Sequence, residues 1–330
     1  MRTTNSILVF ISFILIVFGC IPENEQEGTM PSSSGKTGSV LVVVDSAKFN
    51  REIGLSIKKT LSSVYKGLPQ PEPMFELSNI HPTAFKKIFQ KHRNILKIEV
   101  GQKYNESRFL IRKDVYARPQ LMIYAQAPDD SAMVRLFRQK GEEILQKFVE
   151  AEKKRYIKTF KKIKNSGVMM HVKEKFGIDL VIPKGYSLDV DTTDFSWIES
   201  EGRHDLKGLL IYQFPYKGEN SLTKDYLLKM RNKFTKKYVP GPSPGSYMKH
   251  EDQVIPFYET EKINGNNVII MRGLWEVEND FMGGPFISAT IVDKEKQKII
   301  TVDGYVYAPK FDKRNYVRKL EAILYTLKLN

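Results

Sequence analysis

Five consecutive β-favouring apolar residues, Val40 to Val44, end at Asp45. A strand with one wet face alternates apolar and polar side chains, so a run this continuous reads as a central strand buried on both faces. The next segment changes period. Residues 50–65 place Ile53, Ile57, Leu61 and Val64 at helical spacing, which predicts an amphipathic helix. Leu-Pro-Gln-Pro-Glu-Pro-Met-Phe at 68–75 then forbids helix and predicts an extended connector.

The same reasoning carries along the chain. A short helix is expected over 83–91 behind Pro82, with strands at 94–100, 108–112 and 120–126. A long helix from Ser131 to about Lys164 turns Leu136, Ile144, Leu145, Phe148, Tyr156, Ile157, Phe160 and Ile163 inward. Asn165-Ser166-Gly167 is a break, and it divides the folded part into 40–165 and 166–330, two halves of ordinary domain size. The second half predicts strands at 178–182, 195–199 and 209–214, a helix over 222–237, strands at 254–260, 267–276, 287–292 and 298–306, and a last helix over 314–327. Asn264-Gly265 between two strand runs is a hairpin signal. Short links between consecutive strands imply antiparallel pairing, and the fold class is therefore α+β: antiparallel sheets packed with helices in two similar halves, open to an origin by duplication.

The N-terminus sets the compartment. Arg2 precedes an apolar run from Ile7 to Phe18, too short for the ~20 residues that span a bilayer but of the length and charge order of a secretory signal. It ends Val17-Phe18-Gly19-Cys20, which resembles the lipobox cut by the lipoprotein signal peptidase; the resemblance implies that residues 1–19 are removed and that Cys20 is lipidated. Cys20 is the sole cysteine, so the folded part has no disulfide and rests on its core, as chains of about 300 residues are able to do. Residues 20–39 are rich in Ser, Gly and Glu and read as a flexible tether, with a reach of roughly 25 Å. Within it Glu23, Glu25 and Glu27 alternate, either as a solubilising linker or as a patch resembling the surface-export signal of some Bacteroidota lipoproteins. The formal charge of +14 favours acidic surfaces as neighbours. The expected place is the cell envelope, at the outer membrane, with the membrane as partner through the lipid and no nucleic acid.

Two further resemblances follow. The order of strands, helix, antiparallel meander and terminal helix after Ile178, opening Ile-Asp-Leu-Val-Ile-Pro-Lys-Gly-Tyr, resembles the sandwich of the PsbP and Mog1 proteins in pattern. The pieces Ser-Gly-Lys-Thr-Gly-Ser-Val-Leu-Val-Val-Val-Asp, His-Arg-Asn-Ile-Leu-Lys-Ile-Glu-Val and Phe-Met-Gly-Gly-Pro-Phe-Ile-Ser-Ala-Thr-Ile-Val-Asp resemble an uncharacterised family of Bacteroidota lipoproteins known as a domain of unknown function. That resemblance implies compartment and fold, and transfers no activity, cofactor or catalytic residue.

Chemistry has to be sought residue by residue. Gly241-Pro242-Ser243-Pro244-Gly245 satisfies G-x-S-x-G, but Pro244 has no N–H to build an oxyanion hole, and the stretch reads as an exposed loop. Gly35-Lys36-Thr37 lacks the earlier glycine of a phosphate-binding loop, Met30 standing there. The five histidines, at 81, 92, 171, 204 and 250, include no i, i+4 pair to hold a metal on one helix face. No cofactor is expected. Asp45 ends the buried strand as catalytic groups do in α/β sheets, and is equally explained as a helix cap.

The strongest charged cluster is Lys153, Lys154, Arg155, Lys158, Lys161, Lys162 and Lys164, interleaved with Tyr156, Ile157, Phe160 and Ile163. An amphipathic basic helix of this kind is suited to an anionic lipid or polymer surface, or is a solvated helix face. The sequence therefore predicts a lipid-anchored envelope protein with a binding or structural role and no catalytic motif. The alternative is an envelope hydrolase using Asp or Glu groups in a cleft between the halves. The folded positions of Asp45, Glu72, Asp293 and Asp303 separate the two readings.

Overall fold

The computed structural model describes residues 30–330. Cys20, the signal segment and the first half of the tether lie outside the described residues. The first half is built from β1 (Ser39–Val43), α1 (Ser46–Phe49), α2 (Glu52–Leu61), β2 (Glu76–Ile80), β3 (Asn94–Val100), β4 (Arg108–Lys113), β5 (Leu121–Ala127) and α3 (Asp130–Lys162). Its five-stranded sheet has the order β2-β1-β3-β5-β4. The expected central strand is there, and Val40, Val42 and Val43 are fully buried.

The sheet is not antiparallel as expected. β1 runs parallel to both β2 and β3, and β3 parallel to β5; only the hairpin partner β4 opposes β5. The physical reason is connection length: α1 and α2 separate β1 from β2, and a long loop separates β2 from β3, so neither link is a hairpin turn. The helix expected over 83–91 is instead two short 3₁₀ turns, Pro82–Ala84 and Phe89–Lys91, with Lys87 at φ 42° between them. This stretch buries only Phe85, too little to hold a continuous helix. The tether is also shorter than expected. Ser34 N–H donates to the Lys91 carbonyl at 2.8 Å, Arg93 N–H to the Ser34 carbonyl at 2.8 Å, and Arg93 Nη1 to Thr37 Oγ1 at 3.0 Å, so residues 32–38 are docked on the first half.

The second half contains α4 (Ser166–Phe176), β6 (Ile178–Asp179), β7 (Ser187–Asp191), β8 (Phe195–Glu201), β9 (Leu206–Pro215), α5 (Lys224–Tyr238), β10 (Met248–His250), β11 (Phe257–Ile263), β12 (Asn266–Val277), β13 (Gly283–Asp293), β14 (Lys298–Tyr307), α6 (Arg314–Leu324) and β15 (Lys328–Leu329). Its large sheet is wholly antiparallel, in the order β10-β12-β13-β14-β9-β8-β7, with β11 on the free side of part of β12. The hairpin at Asn264-Gly265 forms with both residues at positive φ, 48° and 86°, the geometry that makes this pair favourable there. Asn165, read as a break, is the N-cap of α4: its side chain accepts from Val168 N–H, and Gly177 ends the helix at φ 72°. α6 packs on one face of the sheet and α5 on the other, which is why nine of the eleven residues of β13 are buried and the strand has no wet face.

The chain is thus α+β, with one mainly parallel and one antiparallel sheet. The two halves do not share a topology, which removes the basis for a duplication. They are joined by α3. At 33 residues it is about 50 Å long. Its first turns, from Ala132 to Phe148, belong to the core of the first half. Its last turns pack Tyr156, Ile157 and Phe160 into the core of the second, beside α6. Among the described residues no helix is long and apolar enough to cross a membrane.

Candidate functional site in the cleft between the halves

Where α3 leaves one core for the other, the two halves enclose an open cleft of about 800 Å³. The first half supplies Tyr65 and Lys66 beyond α2, and Glu142, Leu145, Val149, Glu150 and Lys153 along α3; the second supplies Glu259 and Glu261 on β11, Arg272 on β12, and Glu321 and Tyr325 on α6 and just after it. The volume is that of a small-molecule site. A second concavity of about 830 Å³ lies between α2 and the start of α3, but its cations are surface groups and its Lys48 is paired with Asp130.

Glu321 organises the cleft floor. It is buried, and it accepts from Arg272 Nη2 at 2.8 Å and from the Tyr65 hydroxyl at 3.1 Å. Burial pushes its carboxyl up, but Arg272 and Lys153 outweigh burial and hold it below the usual carboxylate range. Burial and Glu321 together push the Tyr65 phenol well above its ordinary value. The Tyr325 hydroxyl donates to Glu261, while the face of its ring carries Lys153 Nζ, 3.0 Å from the centroid. Burial pulls the Lys153 ammonium below the ordinary amine range, with Glu321 and Glu261 offsetting part of the cost.

Several donors at this site have nothing to donate to. Arg272 Nη1 is buried without a hydrogen-bond partner, and so is Arg318 Nη1. Arg318 lines a void of about 10 Å³ beneath the cleft, shared with Glu152, Lys153 and Glu321, large enough for one water at most. Among the described residues no carboxylate approaches Lys153 Nζ within ion-pair distance. A buried donor left unmade costs about 1–3 kcal/mol, so the unmet Arg272 donor at a concave surface points to something that satisfies it.

Two families cover nearly all of the folded part. Residues 33–161 match the family described as Domain of unknown function (DUF8532), and residues 164–326 match Domain of unknown function (DUF4837). The two matched segments follow one another in tandem. No curated protein matches it. Solved structures show weak likeness: a mutant of the protein Mog1 (TM-score 0.32, 11% identity, 46% of this chain and 90% of the other), LpqN, involved in cell envelope biogenesis of Mycobacterium tuberculosis (TM-score 0.30, 10% identity, 46% and 83%), and the human StarD13 lipid transfer and protein localization domain (TM-score 0.23, 11% identity, 49% and 95%). At these scores the likeness carries no argument about activity.

The four carboxylates chosen from sequence are scattered. Asp45 caps α1, accepting from Ala47 N–H at 2.8 Å and facing His81 at 3.2 Å. Glu72, in the proline-rich connector of the DUF8532 half, reaches across to cap α6 of the DUF4837 half, accepting from Lys313 and Arg314 N–H at 2.6 and 2.9 Å. Asp293 caps the turn after β13, accepting from Lys296 N–H. Asp303 is paired with Arg231 in the interior of the DUF4837 half. Ser243 is exposed in a loop tied by Ser246, between α5 and β10 rather than between a strand and a helix. Trp275, Tyr305 and Tyr307 belong to the core under α5 and not to the cleft.

The basic cluster divides in two. Lys154, Lys158, Lys161 and Lys162 are exposed on one face of α3, and Lys164 is exposed just beyond it. Lys153 and Arg155 do not belong with them. Arg155 turns inward, donating to Asn94 Oδ1 at 2.8 Å, Glu152 Oε1 at 2.9 Å and the Arg93 carbonyl at 2.8 Å. Burial pushes its guanidinium down to about 10. Lys153 turns into the cleft. The reason is that α3 is flanked by the first sheet and α6 at this level, so its positions 152, 153, 155 and 156 meet protein instead of solvent.

The cleft residues of β11, β12 and α6 were missed by sequence reasoning, although some left a signal. Arg272 interrupts the apolar run Val268 to Trp275, and Glu321 sits on the buried stripe of Val317, Leu320 and Leu324. A charge on a face that must be buried needs a partner there. Among the described residues no group of three or more His, Cys, Asp or Glu side chains is arranged to hold a metal.

Proposed function

We propose that this protein is an envelope lipoprotein, held at the membrane by lipid on Cys20, whose cleft between the two halves binds a small ligand. The observation that carries the reading is the unpartnered Arg272 Nη1, together with Lys153, which pairs with no carboxylate among the described residues, at a cleft of about 800 Å³. The exposed face of Lys154, Lys158, Lys161 and Lys162 supports the membrane part of the reading. On a chain already tethered nearby, each such cation adds roughly 1 kcal/mol of attraction to an anionic surface and helps to orient the domain.

Binding is favoured over hydrolysis by the state of the cleft carboxylates. A general acid must keep a proton near neutral pH, which requires a raised pKa. The most buried cleft carboxylate, Glu321, is shifted the other way by Arg272 and Lys153.

Native mass spectrometry of the full chain, extracted from membranes in mild detergent, tests the proposal. The expected spectrum contains a bound species in addition to the lipid anchor, and Lys153→Met loses that species while keeping the anchor. A wild-type spectrum of chain plus lipid alone overturns the binding role.

A further inference from the structure

The charges lining the cleft do not balance as an anion site alone. On the floor, Arg272 Nη1 is buried without a partner, and Lys153 Nζ lies on the Tyr325 ring with no carboxylate among the described residues in ion-pair distance. On the rim stand Glu142, Glu150, Glu259 and Glu261, whose engagements are weak or single: Glu150 is 3.8 Å from Lys154, Glu259 is 3.8 Å from Arg272, Glu142 accepts from Gln146, and Glu261 accepts from Tyr325. A simple anion would satisfy the floor but would enter past four carboxylates. A simple cation would satisfy the rim and leave the Arg272 guanidinium unmet. Leu145 and Val149 form an apolar wall along α3 between the two regions.

Resting on the binding role proposed above, we infer that the ligand is a small zwitterion: an anionic group seated on Lys153 and Arg272, and a primary ammonium held by the glutamates of the rim. Charge-assisted hydrogen bonds at both ends give such a molecule an advantage over either half of it. The same chemistry has two sources, a peptide or amino acid with free termini, and a phosphoethanolamine headgroup. The anionic end also fixes a proton. Lys153 is desolvated without a paired carboxylate, and an anion beside it restores its charged state, so binding takes up protons as pH rises toward the lysine range.

Calorimetric titration of the full chain in mild detergent tests the inference with four probes. Trialanine and glycerophosphoethanolamine carry both charges; glycerol phosphate carries only the anion and ethylamine only the ammonium. At least one zwitterion is expected to bind ten-fold or more tightly than both half-probes, and whichever does so identifies the source. Lys153→Met and Glu259→Gln are each expected to weaken that binding ten-fold or more; Glu259 is 54% exposed, so its variant keeps the fold if Lys153→Met does not. Zwitterions that bind no better than glycerol phosphate, or that bind equally well to both variants, overturn the inference. Glycerol phosphate binding alone, lost in Lys153→Met, overturns the zwitterion and leaves the cleft as an anion site. No binding by any probe, with a membrane-purified chain that still carries a bound species, overturns the ligand class and leaves the binding role standing.

Discussion

Arg231 Nε donates to Asp303 Oδ2 at 2.8 Å, and neither side chain reaches solvent. The guanidinium also lies over the Phe286 ring, 4.0 Å from its centroid, and α5 is thereby pinned to β13 and β14 by one residue. An ion pair sealed in this way is unforgiving, because removing one member leaves the other as an uncompensated buried charge. Arg231→Met is therefore expected to destabilise the chain by about 3–5 kcal/mol in urea unfolding. Arg231→Met combined with Asp303→Leu is expected to recover most of that loss. A single variant within about 1 kcal/mol of wild type would mean that the pair is not sealed.

His250 lies beside the same pair, edge-on to Phe286. Burial, followed by the charge of Arg231, lowers its pKa against the partial opposition of Asp252. His92 is lowered as well, mainly by burial. A group held neutral in the folded state takes up protons more readily when unfolded. Its stabilising effect is complete above the unfolded imidazole value of about 6.5, and is lost as pH falls below it. Urea midpoints are expected to fall between pH 7.5 and pH 5.0, and to fall less in the double variant His92→Asn, His250→Gln. Equal slopes for the two proteins would assign the pH response to other groups.

Glu72 couples the halves through backbone chemistry. It takes the first two free N–H groups of α6 from a position 241 residues away, and thereby performs the task of an N-cap side chain, which is worth about 1 kcal/mol when local. Glu72→Ala is expected to lower stability by about 1–2 kcal/mol and to accelerate hydrogen exchange at the start of α6 before other elements. Exchange unchanged at residues 313–316 would contradict the capping role.

The elements that sequence revealed are those whose pattern is local. The run from Val40 to Val44, the stripe along α3 and the Asn264-Gly265 turn each declare themselves within a dozen residues, and each stands where it was expected, except that Ile163, expected to face inward, is exposed just past the end of α3. The direction of strand pairing in the first sheet was not local, since it depends on where the chain goes after α2. The cleft was less legible still. Tyr65 and Glu321 are 256 residues apart, and only the misplaced polarity of Arg272 and Glu321 within apolar stripes hinted that they would meet. The basic run showed the opposite hazard: seven cations in sequence looked like one surface, and the packing of α3 against α6 removed two of them.

The five that remain give a salt-dependent expectation. Full-length chain with Lys154, Lys158, Lys161 and Lys162 replaced by glutamine, and with Cys20→Ser to remove the lipid, is expected to lose the binding to anionic vesicles at low salt that Cys20→Ser alone retains. Binding of the parent should fall as salt shortens the screening length to about 8 Å at physiological strength. Equal vesicle binding by the two proteins would make this a solvated helix face.

Val64 stands 61% exposed at the lip of the cleft, and Ile255 is 76% exposed away from it. A photoreactive amino acid placed at each position in turn, with crosslinking in living cells and mass analysis of the adduct, tests the cleft most directly. One recurrent small-molecule adduct is expected from position 64, absent from position 255 and lost when Lys153→Met is added. The same adducts from both positions, or none from position 64, would contradict it.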